Sequence, residues 1–257
     1  MKITPDQGKL RYSGRIDFSD PKAPLMVFPC SFVTFRFTGD ILRVTVENRH
    51  AYWNNYIGYM LDGQQHTVAL EMSGRQTIEI PVADTGCTEH ECMIFKRMDA
   101  CHYLIIHELE LADGAQLLDP PPAHSRRIEV YGDSVSAGEV IIALGQNDNH
   151  PDDYMAREPK GEKALYWKVH YDMFVRNIRR KYPDATIILA TTILNHDAHW
   201  DEAIDEVCKH IASPKVHHFL YSNNGKGTPG HVRAREAEQM AEELSAFIES
   251  LGAEIWE

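Results

Sequence analysis

The chain has 257 residues, 43% of them hydrophobic, and its 26 Lys and Arg against 38 Asp and Glu leave a net charge of −12. That composition excludes a disordered chain, a collagen-like repeat and a disulfide-stapled mini-fold. Its acidity gives no attraction to nucleic acid phosphates or anionic lipid, so a neutral or small-molecule ligand is expected, with neither nucleic acid nor membrane as partner.

Residues 1–18 lack the apolar run of a signal peptide, and no stretch approaches ~20 apolar residues. The expectation is a cytoplasmic protein without a membrane-spanning helix. Up to Leu118 the texture is strand-like. Val33, Phe35 and Phe37 alternate within 31–37, and Leu42, Val44 and Val46 alternate with Arg43 and Thr45. Segments 55–61 and 67–71 flank Asp62-Gly63, a hairpin turn signal. Further strands are predicted at 77–82, 92–98 and 103–111. Many short strands with turns between them point to a β-sandwich or jelly roll. The five cysteines, Cys30, Cys87, Cys92, Cys101 and Cys208, form no C-x-x-C pair. Reduced thiols in and beside strands are the favoured reading, over a metal held with His90 or His102.

Asp119-Pro-Pro-Pro122 reads as a stiff linker, dividing the chain into 1–120 and 121–257. Beyond it, apolar strands at 128–131, 140–144, 186–190 and 216–221 alternate with helical patterns at 161–181, 200–211 and 233–251. The inward stripes predicted are Leu165, Val169, Phe174 and Ile178 on the first helix, Ile204, Val207 and Ile211 on the second, and Ala237 to Leu251 on the third. Strands alternating with helices imply an α/β domain with a parallel sheet.

Three loops of this second domain hold residues with chemical potential. Tyr131-Gly-Asp-Ser134 puts a serine at the carboxyl end of a strand, where open α/β sheets bind ligands. Such a hydroxyl is a nucleophile if a base lies near, although Asp and Ser equally suit a turn or a helix cap. Gly145-Gln-Asn-Asp148 follows a buried strand, and Asn147 has the N–H donors an oxyanion needs, in a loop that Gly and Asn also favour on backbone grounds. Gly227-Thr-Pro-Gly-His231 brings an imidazole to the same edge, either as a base or as a surface histidine. Their shared edge raises the joint reading above each motif alone.

This pattern resembles the SGNH, or GDSL-type, hydrolases, which have a flavodoxin-like α/β domain. A strand domain and a proline linker ahead of it resemble carbohydrate esterase family 2, where a jelly roll precedes an SGNH esterase domain. The resemblance is sharpest at Gly132–Ser134, Ala143–Asp148 and Thr228–His231. It implies deacetylation of plant polysaccharides or their oligosaccharides, with Ser134 as nucleophile and His231 as general base. It further implies an oxyanion hole from Asn147 and the Ser134 backbone N–H, and no cofactor or metal. Trp200 and Asp133 are expected at the sugar, with Trp167 and Tyr166 as further rings that can stack, although core or rim packing is the commoner role for any one of the three rings. Most SGNH hydrolases carry an Asp three residues before the histidine. Thr228 stands there, which fits the Ser–His dyad of the carbohydrate esterase family.

One block of the family pattern is missing. Only 12 residues separate Ser134 from Asn147, leaving no room for a helix, a strand and the glycine that gives a third oxyanion hydrogen bond. The expected strands at 128–131 and 140–144 are joined by eight residues, whereas a parallel crossover takes about a dozen or more. They are therefore not expected to be ordinary parallel neighbours with a helical crossover unless their ends fray. Glu139–Val140 marks where such a block would lie. An internal deletion, an edited sequence or a segment left out of it are the three explanations. The domain is thus read as an internally shortened SGNH fold. A catalytically impaired carbohydrate-binding protein, or an SGNH esterase or lipase of other acyl specificity, are the alternatives.

Overall fold

A computed structural model describes residues 1–49, 55–82, 88–98, 100–122, 131–132, 141–145, 147–227 and 232–256. The chain divides into two compact units, Met1–His124 and Ser125–Glu257.

The described residues of the first unit form twelve strands: β1 (Lys2–Ile3), β2 (Arg11–Ser13), β3 (Ile16–Asp17), β4 (Leu25–Met26), β5 (Phe32–Thr38), β6 (Ile41–Arg49), β7 (Tyr56–Leu61), β8 (Gln64–Ala69), β9 (Ser73–Pro81), β10 (Glu89–Lys96), β11 (Tyr103–Leu111) and β12 (Leu117–Leu118). They make two antiparallel sheets. One runs β3-β4-β11-β6-β9 with β1 on β11, and the other runs β12-β5-β10-β7-β8 with β2 on β5. The alternation in the sequence explains the packing. Val33, Phe35 and Phe37 of one sheet and Leu42, Val44 and Val46 of the other are all buried in a single core with Ile94 and Leu109. Polar partners of the alternation, such as Arg43 and Thr45, pair instead with Glu79 and Thr77 on the other face.

The turn at Asp62-Gly63 has both residues at positive φ, 50° and 81°, and Leu61 pairs with Gln64 across it. A two-residue loop of this shape matches the natural twist of antiparallel strands. The Asp62 carboxylate is used twice more, accepting from the buried His90 at 2.7 Å and from the Glu91 N–H at 2.9 Å. His90 is thus tied to a carboxylate. Cys92 is fully buried in β10, and Cys87 lies outside the described residues.

The second unit contains a parallel sheet of β13 (Tyr131–Gly132), β14 (Ile141–Ala143), β15 (Ile187–Ala190) and β16 (Val216–Phe219), in that order across the sheet. Helices α1 (Tyr154–Arg157), α2 (Glu162–Lys181), α3 (Ala198–Ile211) and α4 (Ala234–Ser250) accompany it. Ile142, Ile187 and Leu189 point toward α2 and α3, meeting Tyr171, Val175, Ile178, Ile204 and Val207. Ala143, Ile188 and Ala190 point the other way, toward Leu244 and Ile248 of α4. A sheet covered on both faces needs strands that are apolar throughout, and Ile187–Ala190 is buried at every position.

One expectation requires correction. The stripe expected to be inward on α2 is partly the outward one. Leu165 and Val169 are 51% and 56% exposed, whereas Ala164, Tyr171, Val175 and Ile178 are buried. The α2 face is set by Tyr171 and Trp167, whose rings stack at 4.7 Å, since aromatic rings carry large burial areas. The short connection is expected to exclude ordinary parallel neighbours unless the strand ends fray, and the strands are that short: β13 and β14 pair in parallel over two residues, Tyr131 with Ile142 and Gly132 with Ala143. The strands are short, so residues 133–140 have only about 8 Å to span, against an extended reach of roughly 30 Å for that length.

Candidate functional site

The strand registers define one edge. Gly132, Ala143, Ala190 and Phe219 stand in a row across the sheet, each the last residue of its strand. Everything that follows them leaves at the same side, the carboxyl edge where α/β sheets bind ligands. Asp133 and Ser134 come directly after the row, Asn147 four residues after Ala143, and His231 twelve residues after Phe219. Asp133, Ser134 and His231 lie outside the described residues. The Asn147 backbone begins a short 3-10 turn, Asn147–Asn149, with the Asp148 N–H donating to the Gly145 carbonyl at 3.2 Å.

The segment after Asn147 is held by two indoles. Trp167 donates from Nε1 to Asp148 at 2.9 Å, and Trp200 donates to Asp153 at 3.0 Å. Asp153 also caps α1 by accepting from the Ala156 N–H at 3.0 Å. The rings meet edge-on, with centroids 5.3 Å apart. Gly145 fits beneath them at φ +115°, where a Cβ would lie 3.1 Å from Trp167 and 3.3 Å from Trp200. Glycine is required here both for the left-handed backbone and for the space.

This geometry corrects the expectation for Trp200. Its ring is 0% exposed and packs with Met155, Ala164 and Ala203, so no sugar can stack on it. An apolar core position whose N–H reaches a carboxylate is the ordinary place for a buried indole. Trp167 is half-covered by Tyr171 and Trp200. Of the three rings considered, Tyr166 is the open one, at 66% exposure. It borders a shallow cavity of about 330 Å³ with Tyr154, Glu162 and Lys163.

A group that the sequence did not reveal sits beyond β15 and β16. Asp201, in the first turn of α3, is buried and gathers three segments. It accepts from the Thr191 hydroxyl at 2.5 Å, from Asn224 Nδ2 at 2.7 Å, and faces His196 Nε2 at 3.0 Å. His196 Nδ1 lies 2.7 Å from the Leu194 carbonyl, which can only accept, so Nδ1 carries a proton. Nε2 faces the Asp201 carboxylate and also lies 3.2 Å from Asn224 Nδ2, and the carboxylate favours a proton on Nε2. Burial works against the charge on His196, but the hydrogen bond and field of Asp201, the Leu194 carbonyl and Asp197 outweigh it and raise its pKa. Burial likewise opposes ionisation of Asp201, and the hydrogen bonds from His196, Thr191 and Asn224 overcome it, lowering its pKa. Two backbone straps run beside this pair: Gly225 N–H to Thr192 O at 3.2 Å and Gly227 N–H to Ile193 O at 2.5 Å. In the sequence, Asp201 reads as an acid complementing a helix N-terminus, and Asn223-Asn224-Gly225 as a plain turn, so nothing marks them as partners.

Residues 12–121 match the family described as carbohydrate esterase 2 N-terminal. That match spans most of the N-terminal unit and is a likeness of this unit to that family. Across both units it is 26% identical, over 153 residues, to an acetylxylan esterase / glucomannan deacetylase of Cellvibrio japonicus (strain Ueda107). That match covers 59% of this chain and 42% of the relative, so this chain corresponds to about two fifths of that protein's length. Among solved structures, a family two carbohydrate esterase from Clostridium thermocellum in complex with cellohexaose aligns with a TM-score of 0.73 at 18% identity, covering 94% of this chain and 98% of that one. A family two carbohydrate esterase from Cellvibrio japonicus aligns with a TM-score of 0.70 at 18% identity, covering 100% and 98%. These structures share the fold of this chain.

Proposed function

We propose that this chain is a serine esterase that removes acetyl groups from acetylated oligosaccharides of the xylan or mannan type, on a jelly roll joined to a shortened SGNH domain. The observation that carries the reading is the common edge: strands ending at Gly132, Ala143 and Phe219 lie in one register, and the chain after each leads to Ser134, Asn147 and His231. The Cellvibrio relative, named an acetylxylan esterase / glucomannan deacetylase, supports the choice of substrate. In this mechanism Ser134 attacks the acetyl carbonyl while His231 takes its proton. Asn147 and the Ser134 N–H stabilise the oxyanion. His231 then protonates the departing sugar hydroxyl, and water cleaves the acetyl-enzyme. The imidazole needs an acceptor to set its tautomer, and with Thr228 at the usual aspartate position a backbone carbonyl takes that role. Tyr166 replaces Trp200 as the ring offered to a sugar face, and Asp133 remains a candidate for its hydroxyls.

A second reading draws on one observation. Only residues 133–140 join β13 to β14, so the block that brings the third oxyanion donor is absent. Loss of one such donor typically slows acyl transfer by about 10²–10³. A protein impaired in this way would bind glycans through the cleft without turning them over. Acetate release from acetylated xylo-oligosaccharides, compared with the Ser134→Ala variant, separates the two. Release well above that variant is expected. Equal release, together with retained glycan binding, leaves the binding protein standing. A preference for long acyl chains over acetyl would move the assignment to a lipase.

A further inference from the structure

We propose that Asp201 is a positioning residue for the reaction: with His196 and Asn224 it fastens the loop 222–227 to the carboxyl edge of the sheet, so that the chain leaving Gly227 carries His231 from a fixed base. The inference rests on the esterase reading above. Three observations support it. The carboxylate of Asp201 bonds residues from three separate stretches: Thr191 after β15, His196 in the loop before α3, and Asn224 after β16. The backbone straps from Gly225 and Gly227 to Thr192 and Ile193 join the same two loops a few residues away. Gly227 approaches so closely that a Cβ there would lie 2.4 Å from the Ile193 carbonyl oxygen. Only three residues separate Gly227 from His231.

The pair's chemistry also argues for orientation over cohesion. A buried ion pair stabilises a fold little, because desolvation of both charges offsets their attraction. What it supplies is direction: apolar side chains pack in many ways, whereas a carboxylate with three donors has one satisfied arrangement. The donors on Asp201 belong to the loops that emerge beside the row Gly132, Ala143, Ala190 and Phe219, and the general base of the proposed reaction lies on one of them. Asp201 itself touches no reacting atom, so its effect passes through Asn224 and the straps.

The experiment compares the parent chain with Asn224→Ala and Asp201→Asn. It measures kcat and KM on an aryl acetate, together with backbone hydrogen exchange. Asn224→Ala removes the tether and leaves the ion pair, so it tests the idea even if Asp201→Asn fails to fold. Expected for Asn224→Ala are a kcat about 10- to 100-fold lower, a KM within about twofold, and faster exchange confined to peptides over 220–232. Unchanged kcat overturns the proposal, as does faster exchange across all of α3 and α4, which would show a merely structural role. If the parent releases no acetate, the esterase reading fails by itself. The exchange measurement still decides the fastening, since unaltered exchange over 220–232 in Asn224→Ala would falsify it.

Discussion

The two units bury their interiors in different ways. In the first, two antiparallel sheets close on one apolar core, and the buried polar side chains, such as Asn48, Asn55 and His90, are answered by neutral amides, carbonyls or the exposed rim of Asp62. In the second, the sheet separates two apolar layers, and a histidine–carboxylate pair is buried where the strands end. A scaffold whose task is cohesion can be made of packing alone. A scaffold that must hold loops in register at one edge requires directional contacts, and these are paid for in desolvation.

Substitutions can test how far that contrast holds. The largest effect is expected from Phe35→Ala, which empties a fully buried ring position at the centre of the first unit. Chemical denaturation should register a loss of about 3–5 kcal/mol, and a loss under 1 kcal/mol would mean that the core is not continuous. Gly227→Ala should cost about 1–3 kcal/mol by forcing the strap off Ile193, and its signature in the second unit should be an acetyl esterase rate at least tenfold lower. A stability loss with full activity would erase the distinction between the units.

The next effect is one of pH. His196 has a raised pKa in the fold, so its stabilisation is complete below the unfolded imidazole value of about 6.5 and is lost as pH rises through the folded one. Asp201, with a lowered pKa, contributes above the unfolded carboxylate value of about 3.9 and ceases to do so as pH falls through its folded value. The charged groups facing His196 are Asp201 and Asp197; Asp201 also feels His218 of β16, which pairs with Asp205 at 3.5 Å. Thermal unfolding of the second unit should therefore move to lower temperature as pH climbs above about 6.5 and through the folded value, and His196→Gln should flatten that slope. An identical slope in the variant would remove His196 from the account. The smallest effect should come from Arg43→Ala on the outer face of the first unit. Its exposed bond to Glu79, 2.9 Å long, is worth at most about 1 kcal/mol in the same denaturation experiment.

Legibility in the sequence followed the same division. Alternation in 31–37 and 42–46 led directly to β5 and β6, because a half-buried strand must repeat every second residue. Asp62-Gly63 declared its hairpin through backbone chemistry. Strands β14, β15 and β16 were found as apolar runs and α3 by its stripe, whereas of the expected strand 128–131 only Tyr131 lies within the described residues. On α2, however, the choice of face turned on ring area, and counting aliphatic residues put Leu165 and Val169 inside. The site was legible only as three loops at strand ends. His196, Asp201 and Asn224 are brought together by chain reversal over 28 positions, and each has an ordinary local explanation, so no local pattern joins them. Trp200 shows the opposite error: an aromatic that suits a sugar equally suits a core, and burial decides between them.

Among the described residues the strand leading to Ser134 is one of the two outer strands of the sheet, and it is held by two residues of pairing on one side. Asn147 follows β14, one strand further in, and the loop after β16 leaves the opposite margin. Trimming at the margin of a sheet spares its centre, so a chain of this kind can lose a whole unit of the pattern beside β13 and still build the remaining three strands and their covering helices.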